Sequence, residues 1–206
     1  VLVLALLALE LRVPDPGAAA RHGEVARKAA QALAGGLLIG VVEETFFRGA
    51  LFTAIRRHRP AANAVLWSAL LYAAVHFLKP VSPPAGATVD WTMAGGMVLG
   101  AFADAADWAN LDSFVALVLV GVLLGLVRER TGHIGWCIGL HAGWVLVIQV
   151  ARQLTDGNAA SPNAWLTGDY DGVIGWLAAA WLAALSAGYL GLASRPGAPP
   201  AQDGQA

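Results

Sequence analysis

Residues 172–194 carry no charged side chain, nor do residues 60–78, and residues 131–151 hold only His133 and His141 as ionisable groups. A helix rises 1.5 Å per residue and needs about 20 mostly apolar residues to cross the hydrocarbon of a bilayer, so all three stretches read as spanning helices. Residues 113–127 are shorter and need Leu111 and Asp112 to reach a full span. Residues 29–55 are long enough but carry Glu43, Glu44 and Arg48 near their middle. The chain opens at Val1 with nine consecutive apolar residues, no initiator Met and no basic segment ahead of them. Residues 1–11 therefore read as the surviving end of a membrane helix whose upstream part is missing, not as a signal peptide.

The composition agrees. Of 206 residues, 57% are apolar and 13% charged, against roughly 25% charged in an ordinary soluble domain. With a mean hydropathy of +0.60 and a net charge of −1, neither a disordered chain nor a nucleic-acid binder fits. Cys137 is the single cysteine, which rules out an internal disulfide and a Cys-rich metal site. The fold expected is all-α, a polytopic transmembrane bundle of about six membrane helices. Residues 91–108, too short to span before Asp104 and Asp107, add a re-entrant or interfacial helix. One domain is expected over residues 1–193, with its core at 29–151 and a disordered tail over 194–206.

Cationic residues mark the cytoplasmic side of membrane proteins. Arg56, Arg57 and Arg59, then Arg128 and Arg130, then Arg195 share a side only if residues 91–108 do not cross, and the loop 153–171 then faces the other way. The loop 12–28, with Arg12, Arg21, Arg27 and Lys28, breaks this pattern. Glycines four apart (Gly36 and Gly40, Gly96 and Gly100, Gly121 and Gly125, and Gly135, Gly139 and Gly143) read as helix-packing stripes. The Trp residues read as interfacial anchors, Asp104, Asp107 and Asp112 as a solvated loop face, and His133 as interfacial.

An ionised residue at the centre of a membrane helix costs about 2.5 to 3.5 kcal/mol, so Glu43, Glu44 and Arg48 must face protein or a wet cavity. Glu44 and Arg48 are four apart with the carboxylate on the N-terminal side, the favourable spacing for an ion pair. Glu43 points about 100° away and has no cation one turn on. A carboxylate left over in such surroundings serves as a general base or a metal ligand. Tyr72 and His76 share one face of the segment 60–78. Glu43 lies roughly 18 Å deep from the Ile55 end, His76 roughly 21 Å and His141 about 10 to 15 Å. Glu43, His76 and His141 are thus the candidate site, on three separate helices at comparable depth.

At these residues the chain resembles the CAAX protease and bacteriocin-processing family (CPBP or Abi), the type II CAAX prenyl endopeptidase-like intramembrane proteases. Glu43-Glu44-Thr45-Phe46-Phe47-Arg48 matches the family's Glu-Glu-x-x-x-Arg motif. Tyr72 and His76 meet Phe-x-x-x-His with one aromatic exchanged for another, and His141 meets the start of His-x-x-x-Asn. The resemblance implies peptide-bond hydrolysis in the membrane: Glu43 activates a water, His76 helps orient or deprotonate it, and His141 stabilises the oxyanion, with Glu44, Arg48 and Tyr72 in support. It implies a membrane-anchored peptide or protein as substrate, no nucleic acid, and a multi-pass place in the bacterial inner membrane. No cofactor is expected, although Glu43, His76 and His141 also form the ligand set of a catalytic zinc site.

Position 145 departs from the family, with Val145 where an Asn would donate a hydrogen bond. Trp144 and Gln149, on or near that face, carry N–H donors that could replace it. Two other functions compete with proteolysis: a non-catalytic family member that binds a peptide or partner helix, for instance in bacteriocin immunity, and a proton-coupled transporter using Glu43 and the histidines as a relay.

Overall fold

The structure, a computed structural model, describes residues 1–78, 82–83, 86–88, 90–105, 107–168 and 170–193. The apolar runs form α1 (Leu2–Ala8), α2 (His22–Glu44), α3 (Phe52–Arg56), α4 (Ala61–His76), α5 (Trp91–Ala105), α6 (Leu111–Thr131), α7 (Ile134–Leu154) and α8 (Trp176–Ala193). Between α2 and α3 the chain continues as a π-helix over Thr45–Leu51, so residues Ala18–Arg56 form one continuous rod. That rod, Trp108–Thr131 and Ile134–Leu154 are long and apolar enough to cross a membrane, and Ala61–His76, Trp91–Ala103 and Trp176–Leu192 are shorter apolar helices. The chain is an all-α bundle of membrane type. Two expected spans come out shorter, because α4 ends at His76 and α8 starts only at Trp176. The tail 194–206, with Arg195, and the side chain of Asp104 lie outside the described residues.

Local chemistry sets the helix ends. Pro60 precedes the first turn of α4. Gly132 ends α6 at φ +65°, the left-handed region that glycine enters without a Cβ clash. His133, expected at the interface, accepts a hydrogen bond from the Gly135 N–H and caps α7. Asp107 caps a short helical turn at Trp108–Asn110. Asp112 does not lie on a solvated face. It is buried at the start of α6, where its carboxylate accepts from the Ser113 N–H.

The helices pack in an antiparallel order. Gly36 of α2 lies against Ala142 and Val145 of α7, and Gly40 lies against Ile138. Gly121 and Gly125 of α6 lie against Ala69 and Val65 of α4. Gly139 and Gly143 face open space, as does Gly96, so the helix contacts seen among the described residues fall on the Gly36–Gly40 and Gly121–Gly125 stripes. The tightest is Gly121, where an added Cβ would come 2.7 Å from the Ala69 Cα. Gly121→Ala is therefore expected to destabilise the fold by about 1 to 3 kcal/mol through overpacking of α4 on α6. Thermal unfolding in detergent measures this, and an unchanged midpoint would mean that the two helices separate freely.

This packing also fixes the path of α5. α4 ends where α6 begins, so residues 77–110 leave and return at the same end of the bundle, and α5 does not carry the chain across. None of its described side chains is buried. At the opposite end Arg56 pairs with Glu129 at 3.1 Å, and Arg130 donates to the carbonyls of Tyr189 and Leu190. The α3–α4 and α6–α7 turns and the end of α8 thus share a side, as the arginines required. Arg12 and Arg21, two of the four cations in the discordant segment 12–28, have partners of their own. Residues Arg12–Pro14 (β1) pair antiparallel with Thr155–Gly157 (β2), Arg12 opposite Gly157. The Arg12 guanidinium is buried on the Thr155 hydroxyl and the carbonyls of Thr155 and Gly172. Burial first, and then nearby Arg152, hold its pKa below the usual value. Arg21 pairs with Asp15. Arg12 is an internal brace, and Arg21 is held by its neighbour.

Candidate active site

α2 ends on Glu43 and Glu44, and the π-helix that follows brings Arg48 back beneath them. π-helical turns widen the backbone spiral and occur mostly at functional sites. No period in the sequence announces this one. Arg48 Nη1 donates to Glu44 Oε1 at 3.1 Å, Nη2 donates to the Gly121 carbonyl at 3.2 Å, and both side chains are fully buried. Its guanidinium lies 4.5 Å from the centre of the Tyr72 ring, and Phe47 meets Tyr72 edge-on at 5.3 Å. The expected ion pair thus joins α2 to α4 and α6.

The Glu44 carboxylate has a second partner that the sequence does not reveal. His141 Nδ1 lies 2.9 Å from Glu44 Oε1, the oxygen that also receives Arg48. A carboxylate paired with an arginine only accepts, so His141 Nδ1 carries the proton and donates. His76 Nδ1 lies 2.8 Å from the Tyr72 carbonyl, which also only accepts, so the same tautomer follows. Both rings therefore turn Nε2 the other way, and both reach Glu43. Its Oε2 is 3.8 Å from His76 Nε2 and 4.0 Å from His141 Nε2, too far for direct hydrogen bonds and suited to a bridge through one water. Glu43 Oε2 is buried and has no direct hydrogen-bond partner among the described residues. Glu43, His76 and His141 come together, with Glu44, Arg48 and Tyr72 around them.

A cavity of about 320 Å³ opens beside this group, bounded by α1, α4, α6, α7 and α8. Tyr72, His76 and His141 line it, and its walls are mostly apolar, with Trp144 and Trp181 among them. Two of the Trp residues read as interfacial anchors thus line a cavity. Val145 reaches the cavity as well as its contact with Gly36. Gln149 does not: it is exposed on another face of α7, in a groove with Lys28 and Gln31. One polar residue in the cavity lies in no motif. Tyr170, from the α7–α8 loop, packs against Phe77 at 5.2 Å with the rings tilted by 56°, and brings its hydroxyl 3.4 Å from the His76 carbonyl. Burial, then Asp171 and Glu43, raise its phenol pKa above the usual value.

The fixed tautomers are of a kind that zinc-binding histidines show. Even so, among the described residues no three His, Cys, Asp or Glu side chains form a group that could hold a metal ion. No step below is routed through a metal.

A membrane-type helical bundle that gathers one carboxylate and two oriented imidazoles beside an apolar cavity defines a membrane-embedded site with acid–base capacity. The family model described as type II CAAX prenyl endopeptidase Rce1-like matches residues 26–147, more than half of the chain, and the chain belongs to that family. It is an integral membrane protein of a protease family, whose substrates are proteins. The match takes in Glu43, Glu44, Arg48, Tyr72, His76 and His141, and leaves out Tyr170 and α8. No curated protein and no solved structure matches the chain.

Proposed function

We propose that this chain is a glutamate-dependent intramembrane endopeptidase that cuts a membrane-anchored protein or peptide. The observation that carries the reading is the approach of both Nε2 atoms to Glu43 Oε2, with each Nδ1 already committed to a fixed acceptor. A water held between Glu43 and His76 gives a proton to Glu43 as its oxygen attacks the scissile carbonyl carbon. His141 faces the same space: taking a second proton on Nε2 from solvent before the attack, it donates to the carbonyl oxygen and stabilises the charge that develops there, and it returns that proton to solvent after product leaves. Glu44 and Arg48 hold His141 in place. The apolar cavity suits a substrate segment delivered from lipid. Prenylated CAAX tails, bacteriocin leaders and C-terminal sorting anchors are candidate substrates.

The test is to compare the membrane proteome of cells carrying wild type and Glu43→Ala, looking for substrates that change size. Identical profiles would favour the non-catalytic binder, which Val145 supports.

The proposed chemistry needs no metal. Cleavage by the purified protein is expected to survive EDTA and phenanthroline. Loss of activity with chelator, restored by added zinc, would replace this mechanism with a zinc-dependent one.

A further inference from the structure

We propose that Tyr170 is a further catalytic residue, whose hydroxyl donates a hydrogen bond to the scissile carbonyl oxygen as charge develops there. The inference rests on the protease reading above and deepens it. Val145 sits one turn after His141 and has no donor to offer, so a carbonyl oxygen brought to His141 needs a second donor from elsewhere. Gln149 is on another face. Trp144 packs against the cluster of Leu124, Val127 and Cys137, and Trp181 lines the cavity from α8. Tyr170 shares the cavity with His76 and His141 and reaches into it from the α7–α8 loop.

Its present bond to the His76 carbonyl is 3.4 Å, long for an O–H donor, whose usual distance is about 2.7 to 2.8 Å. An oxyanion is the stronger acceptor for this hydroxyl, because charge-assisted hydrogen bonds are roughly twice as strong as neutral ones. The raised phenol pKa keeps the proton on the oxygen, so the group remains a donor. In the attack, the water oxygen bonds to the carbonyl carbon, the water proton passes to Glu43 and the carbonyl π pair becomes a lone pair on oxygen. Tyr170 donates to that oxygen and keeps its own proton. When the pair returns to restore C=O, the C–N bond breaks and the amine leaves with the proton from Glu43.

The experiment uses the full chain in cells and then in vesicles. Membrane-protein fragments are compared between wild type, Glu43→Gln, Tyr170→Phe and Tyr72→Phe, and the fragment that depends on Glu43 supplies the substrate for kinetics. Tyr170→Phe keeps the ring and its tilted contact with Phe77, and is expected to lower kcat on the order of 10²-fold with KM and thermal midpoint held. Val145→Asn added to Tyr170→Phe is expected to recover part of that loss, which a merely structural role of the hydroxyl would not allow. If wild type and Glu43→Gln give the same fragments, the protease reading falls and this inference with it. If Glu43→Gln is inactive while Tyr170→Phe stays within threefold of wild type, the protease stands and the role of Tyr170 is overturned. A loss in KM alone, or a loss in Tyr72→Phe without one in Tyr170→Phe, overturns it equally.

Discussion

Arg48→Ala is expected to lower the yield of folded protein and its thermal midpoint, at a cost of about 3 to 5 kcal/mol, the usual range for removing one partner of a buried ion pair. The substitution strands the fully buried Glu44 carboxylate and the Gly121 carbonyl, and removes the cation above the Tyr72 ring. Two helices lose a tie to the π-helical turn at once. The double variant Glu44→Gln, Arg48→Met should recover much of the stability, because it leaves no unpaired charge, but not the activity, because the amide orients His141 less firmly. Denaturation in detergent and size-exclusion profiles measure both. An Arg48→Ala protein that folds as well as wild type but cleaves nothing would instead put Arg48 into direct contact with the reaction.

Glu43→Ala and His76→Ala are each expected to lower kcat about 10²- to 10⁴-fold, the range for losing a positioned general base or its partner. The double variant should be little worse than the more damaged single one, since groups that act on one water are not additive. Neither carries the fold. Glu43 Oε2 has no direct hydrogen-bond partner among the described residues, and His76 is held to its own helix by the Tyr72 carbonyl and the Tyr72 ring at 4.4 Å, with a longer approach to Glu43. Thermal midpoints should therefore stay close to that of wild type. Losses that multiply in the double variant would show the two groups working on separate steps.

The bundle could be read from the uncharged runs because lipid penalises each charge so heavily that the gaps themselves mark the helices. The pairing of Glu44 with Arg48 was equally open, since a four-residue spacing depends only on helix geometry. The comparable depths of Glu43, His76 and His141 came from counting residues along each helix. What escaped were relations set by docking. Glu44 meets His141 across 97 positions of sequence, and only the antiparallel approach of α2 and α7 through Gly36 and Gly40 brings them together. Gln149 lies one turn beyond Val145 yet is exposed in the groove with Lys28 and Gln31, while Trp144 lines the cavity, so nearness along α7 does not bring it to the site. Tyr170 was invisible because it belongs to a loop without periodicity. Arg12 breaks the cation pattern in the sequence because its partners, Thr155 and Gly172, lie at the far end of the chain.

The π-helical turn has one more consequence. Thr45–Leu51 winds more residues into each turn than the α-helix on either side, so it acts as a phase shifter between the face that carries Glu43 and the face that carries Phe52. Were the same seven residues to relax to ordinary α-helix at unchanged length, the residue that the π-turn absorbs would be wound back into phase. Everything beyond it would then turn by about 100° relative to α2. Phe52, now buried against Ala64 and Val65, would swing off α4, while the three apolar segments would look unchanged in any hydropathy profile. The winding of this segment, as much as the identity of its residues, is what the two carboxylates and the arginine depend on.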